Sequence, residues 1–206
     1  MINNTIIEIR EGDIFSEIEG YKVIAFNEYF DTDIPNIISE NSLNGKYIIN
    51  DGVSKEKIDK IIDNDYHAKK RIKEENRERS LGKQKKYQLG TIIKNGDYLL
   101  LAFSKFDQDN RAFLEINDYI ECLLRMWEEL DICYSGNMIV LPLLGSGITR
   151  FKGCESITDQ ELIETILWTF KYGKVNFPYP AKVRILLTKD SLNQINLFKV
   201  KEKFHC

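Results

Sequence analysis

The chain reads as an α/β protein with a mixed, mostly parallel central sheet and helices on both faces. Three observations predict this. Short, wholly apolar runs such as Tyr98–Phe103 and Met138–Leu144 suit strands covered on both sides. Amphipathic helical stretches lie between such runs. The two kinds of segment alternate along most of the chain, as they do where crossover helices join parallel strands.

The elements follow in order. Thr5–Arg10 alternates weakly and reads as a strand; Tyr21–Phe26 is a short apolar run that suits a buried one. Asp31–Asn50 is broken by Pro35 and Gly45 and reads as a binding loop with a turn of helix. Ser54–Asp63 opens on a cap residue and carries Ile58, Ile61 and Ile62 at helical spacing. Residues 69–86 then place nine cations against three acids, so about 64–88 is expected to be a polar helical excursion or a mobile one. Its charges fit either a solvated face or contact with an anion.

Leu89–Lys94 and Tyr98–Ser104 flank Asn95-Gly96-Asp97, a hairpin signal. Ala112–Leu130 sets Phe113, Ile116, Ile120, Leu123, Leu124, Trp127 and Leu130 on one helical stripe. Thr158-Asp-Gln-Glu161 is a capping box ahead of Leu162, Ile163, Ile166, Leu167 and Phe170. Val183–Leu187 is the last buried strand, and Ser191–Val200 the final helix. The 206 residues fit one domain with the basic excursion inserted.

Composition narrows the chemistry. A formal net charge of -3 disfavours a stable nucleic-acid partner. Cys122, Cys133, Cys154 and Cys206 form no C-x-x-C pair, and the two histidines, His67 and His205, have no metal-ligand spacing. Neither a metal site nor a disulfide framework is expected, and a reducing compartment is. No apolar run is long enough to span a bilayer, and the first residues lack the pattern of a signal peptide, so the expectation is a cytoplasmic protein. The G-x-S-x-G, H-E-x-x-H and P-loop motifs are absent, and no cofactor is implied.

The informative positions are loops after strands. Gly145-Ser146-Gly147-Ile148 follows an apolar strand and offers main-chain N–H groups with little side chain in the way. Ser146, Thr149 and Arg150 add side-chain donors, and a following helix would contribute its positive end. The turn fits an anion cradle or merely a tight chain reversal. Asp13 suits either an exocyclic amine, with the amide of Ile14 beside it, or a helix cap. Asn27 ends the second strand, where its amide can donate and accept, as a ribose hydroxyl pair needs, or can serve a turn. Ser42-Leu43-Asn44-Gly45 is a small loop able to close over a ligand, and Phe103 ends the central strand near the same crevice. Glu28 and Asp31 are the carboxylates nearest that crevice.

Together these motifs resemble a macro domain, the three-layer α/β/α module that binds ADP-ribose, from Thr5 to about Val200. The wording of Phe26-Asn27-Glu28-Tyr29-Phe30, Ser42-Leu43-Asn44-Gly45 and Leu144-Gly145-Ser146-Gly147 is similar to the macro domain of Thoeris anti-phage effectors. The resemblance implies an ADP-ribose-derived ligand, such as a histidine-ADP-ribose conjugate made by a TIR enzyme. It implies adenine at Asp13 and Ile14, and the diphosphate on Gly145, Ser146, Gly147, Ile148 and Thr149 beside Arg150. The distal ribose would meet Asn27, Tyr29, Ser42, Leu43 and Gly45, with Phe103 in the same crevice. Hydrolytic macro domains carry a Gly-rich loop after the Asn strand, whereas Tyr29–Pro35 has none. The expected role is therefore capture of a signal without turnover, with ADP-ribosyl hydrolysis as the alternative. Homo-oligomer formation stays open.

Overall fold

A computed structural model describes residues 1–50 and 54–204; His205 and Cys206 lie outside them. Strand β1 (Ile6–Glu11) leads through a 3₁₀ turn (Ile14–Ser16) to β2 (Tyr21–Asn27). Helices α1 (Leu43–Asn50), α2 (Lys55–Asn64) and α3 (Tyr66–Lys69) follow. Next come β3 (Ile72–Glu75), β4 (Lys85–Tyr87), β5 (Ile92–Asn95), β6 (Tyr98–Phe106) and β7 (Ala112–Glu115). The chain continues through α4 (Ile116–Cys133), β8 (Ile139–Pro142), β9 (Arg150–Lys152) and α5 (Asp159–Tyr172). It ends on β10 (Lys182–Leu187), α6 (Lys189–Gln194) and α7 (Leu197–Phe204).

The main sheet runs β1-β10-β8-β2-β6-β7-β9, with β5 also paired to β6. The five strands from β1 to β6 are mutually parallel, while β5 and β7 run antiparallel to β6. The expected mixed, mostly parallel sheet is thus present, and so are its two covering layers. On one face α4 and α5 bury Tyr119, Leu123, Trp127, Ile163 and Phe170 against Leu99, Leu101, Leu141 and Ile185. On the other, Ile14, Tyr47, Ile58, Ile62 and Tyr87 pack on Ile24, Leu100 and Val140. Alternate residues of β6 serve opposite cores, which is why its sequence is apolar without a break.

Several local expectations need correction. Ala112–Glu115 is a strand rather than the start of a helix. Phe113 pairs with Lys105 of β6 and with Arg150 of β9, so the sheet ladder takes the first four residues of the expected helix and Phe113 from its stripe. The hairpin strand before Asn95 is only Ile92–Asn95, because Gly90 takes φ +91° and donates from its amide to Ala102 O across a turn. The final helix breaks at Ile195, whose extended backbone ends α6. Asn196 Oδ1 then accepts from the amide of Lys199 at the start of α7. The Ser42–Gly45 loop is instead the entry to α1, with Ser42 Oγ accepting from the amide of Gly45.

The basic excursion differs most from expectation. Apart from the one-turn α3, it is a two-stranded antiparallel sheet, β3 with β4. Most of its charge is internally matched. Arg71, Arg77, Arg79, Lys83, Lys85 and Lys86 pair with Glu129, Glu75, Asp31, Asp59, Asp63 and Glu74. Surface pairs of this kind are individually weak, but the Arg79–Asp31 pair is buried and belongs to a different class.

Candidate ligand-binding site

A cleft of about 490 Å³ opens over the carboxyl ends of β8, β2 and β6. Parallel strands present their ligand crevices at that end, because the loops leaving them converge there. One wall is the Leu143–Arg150 segment. Leu143 is tied to the sheet by its amide, which donates to Leu186 O at 3.1 Å. The turn closes through Ser146, whose amide and Oγ both donate to Leu143 O. Tyr119, wholly buried on α4, donates from its hydroxyl to Leu144 O at 2.9 Å and pins the loop from below.

Gly145 has φ +99°, and a Cβ there would meet Phe151 and Leu162 at 3.0 and 3.1 Å. Glycine is needed at that position for both reasons. Gly147 differs: a Cβ on it would meet nothing within 4 Å. Among the described residues, the amides of Gly145, Gly147 and Ile148 have no partner within the protein. The loop is followed by β9 rather than by a helix, and α5 starts only at Asp159. The Thr158–Glu161 box caps that helix, so its positive end is already engaged by its own side chains.

The opposite wall comes from β2, β6 and the segment leading into α1. Phe26 pairs with Ala102, but Asn27 pairs with Ser104, so the register slips by one at Phe103. Phe103 and Asn27 both line the cleft. Phe103 is braced edge-to-face on Tyr119, with ring centroids 6.0 Å apart. Asn27 is almost fully buried and committed to its own loop. Its Oδ1 accepts from the amides of Tyr29 and Asp31, and its Nδ2 donates to Asp31 Oδ2 at 3.0 Å. Ile37, Ile38, Ser42 and Leu43 close this side, and Asn110 and Arg111 close the outer rim.

The cleft thus brings together Asn27, Ser42, Leu43, Phe103 and all of Gly145, Ser146, Gly147, Ile148, Thr149 and Arg150. Four other candidates stand outside its lining. Gly45 packs its backbone on the Ser39 carbonyl, where a Cβ would come within 2.1 Å. Tyr29 is buried behind the wall with its ring under Arg79, 4.0 Å from the guanidinium carbon. Asp13 is exposed and caps the 3₁₀ turn, accepting from the amide of Phe15 at 3.1 Å, while Ile14 is buried in the core below. Both follow the carboxyl end of β1, which lies two strand spacings, about 10 Å, from β8, the strand that leads to Gly145. Sequence reasoning missed Tyr119, Asn110 and Arg111. Tyr119 lies off the apolar stripe named for that helix and carries no motif that marks it, and Asn110 and Arg111 reach the rim only because β7 joins the sheet.

The electrostatics are one-sided. Among the described residues the lining holds Arg111 and Arg150 and no Asp, Glu, His, Lys or Cys. Asp31 is occupied by Arg79, the amide of Lys83 and Asn27. Glu28 is buried away from the cleft with its Oε1 near the amide of Phe106, and burial raises its carboxyl above the usual range. Such a lining suits an anion, while Glu155 and Asp159 lie against the other side of the Gly145–Arg150 loop.

Comparison with known proteins gives the family and agrees with the fold. The family described as "Thoeris protein ThsA, Macro domain" matches residues 7–188. A Thoeris protein ThsA from Bacillus amyloliquefaciens (strain Y2) is 44% identical over 206 residues, which is 98% of this chain and 68% of that protein. The chain belongs to the Thoeris ThsA macro domain family. Two solved variants of a macrodomain from Oceanobacillus iheyensis share the fold. They give TM-scores of 0.62 and 0.63 at 14% and 13% identity. The alignments cover 100% and 98% of this chain and 97% and 96% of theirs, and the first variant was solved with ADPR. Among the described residues no helix is long and apolar enough to cross a membrane.

Proposed function

We propose that the cleft binds an ADP-ribose-type nucleotide and that this capture is a sensing step in Thoeris anti-phage defence. The observation that carries the proposal is the Gly145–Ile148 loop, with three free amides in a cleft whose only charged side chains are arginines. A diphosphate fits on that loop. Adenine fits at the β1 end, where one carboxylate oxygen of Asp13 is left over from the cap and the Ile14 amide adjoins it. The distal ribose fits at Asn27, Ser42, Leu43 and Phe103, with any conjugated group running towards Asn110 and Arg111. Histidine-ADP-ribose made by a TIR enzyme is the signal we favour, and the family membership supports it. The macrodomain neighbour solved with ADPR supports the nucleotide class.

Capture without turnover is supported by the lining, which offers no titratable group other than arginine. Calorimetry with ADP-ribose tests the binding, and native mass spectrometry of the purified protein identifies any conjugate that accompanies it. Absence of heat at millimolar ADP-ribose from a folded sample would overturn the reading. Release of free ADP-ribose from a modified protein at enzyme-like rates would replace it with hydrolysis.

A further inference from the structure

The β3–β4 excursion packs behind the cleft, where Arg79 makes the most contacts with the wall residues. Arg79 lies in the turn between these strands, yet its side chain is only 9% exposed. Its Nη1 donates to Asp31 Oδ1 at 3.1 Å and to Lys83 O at 2.7 Å. Its Nη2 donates to Asp31 Oδ2 and to Asn110 Oδ1, both at 2.7 Å. The Tyr29 ring stacks beneath the guanidinium. Both Nη groups thus have two partners each, and the planar fork is what allows it.

The partners are the backs of two cleft walls. Asp31 holds Asn27 Nδ2, and Asn27 in turn holds the amides of Tyr29 and Asp31. Asn110 sits at φ +57° in the Asp107–Arg111 turn, a left-handed conformation that asparagine adopts more readily than most other non-glycine residues. Asn27 and Asn110 both line the cleft, at the end away from Asp13. We infer that Arg79 is a positioning residue: the inserted β3–β4 segment completes the nucleotide site by clasping its distal walls from outside. The inference rests on the ADP-ribose reading for the ligand it helps to hold.

The test compares wild type with Arg79→Lys, which keeps the charge and loses the fork. Calorimetry would use ADP-ribose and also ADP, which lacks the second ribose. The expected result is about tenfold weaker ADP-ribose binding with ADP within about twofold, since only the distal contacts move. Asn110→Gly preserves the positive φ, removes only the clasped side chain, and should show the same split. Equal losses for both nucleotides, or none, would overturn the inference. Should wild type bind neither nucleotide, the functional reading fails, and hydrogen exchange decides the clasp without any ligand. Faster exchange in Arg79→Lys confined to the amides of Tyr29, Asp31, Lys83 and Arg111 supports it; unchanged exchange there refutes it.

Discussion

Tyr119→Phe deletes one oxygen and leaves the ring contacts with Phe103 and Phe151 in place. The lost group is the donor to Leu144 O, for which no other side-chain donor is present among the described residues. Leaving one buried acceptor unpaired costs about 1–3 kcal/mol. For a domain of this length each kcal/mol lowers Tm by about 2–4 °C, so a drop of roughly 2–12 °C is expected by calorimetric scan. The same bond fixes the start of the Gly145–Ile148 turn. A loosened turn must be ordered on binding, and ADP-ribose affinity should fall about three- to tenfold. A variant with unchanged Tm and unchanged affinity would refute the reasoning, because it would show the loop to be held by something other than α4.

Three further outcomes can be measured. Asp13→Ala should weaken ADP-ribose binding by about 1–3 kcal/mol if its free oxygen takes the adenine amine, and unchanged calorimetric affinity would remove Asp13 from the site. Gly147→Val should fold normally, since a Cβ there meets nothing, yet bind no ADP-ribose; normal binding by this variant would move the phosphates elsewhere. Glu28→Gln should raise stability at neutral pH. Burial raises the folded-state pKa of Glu28, so its ionisation is disfavoured in the native protein, and stability is lost as pH rises from the ordinary glutamate value through the raised one. The gain should vanish in acid, where both forms are neutral, and a gain that persisted there would show another cause.

Much of this architecture was legible in the sequence, and the reasons are specific. Leu99–Ala102 and Ile139–Leu141 are apolar at every position, and only strands facing a core on each side require that. The Gly145-Ser146-Gly147 turn announced itself because its glycines follow such a strand directly. Ala112–Glu115 was illegible because its apolar residues continue the periodicity of α4 without a break. Its strand state depends on Lys105 and Arg150, partners remote in sequence. The excursion misled for a related reason: its periodicity is polar, and what orders it are carboxylates on α2 and in the segment after β2. Asp13 illustrates a third limit. Its cap and its candidate ligand role call for the same carboxylate, and the structure shows one oxygen taken by the cap.

The matching of charge in the β3–β4 segment alters how that segment would answer to chemistry from outside. A run so rich in lysine and arginine invites expectation of retention on heparin. Arg71, Arg79, Lys83, Lys85 and Lys86 already face carboxylates, which weakens the field those five side chains would present to a polyanion. Acetylation of Lys83 would accordingly loosen the fold locally, by releasing Asp59 and the Phe30 carbonyl, rather than erase a docking patch.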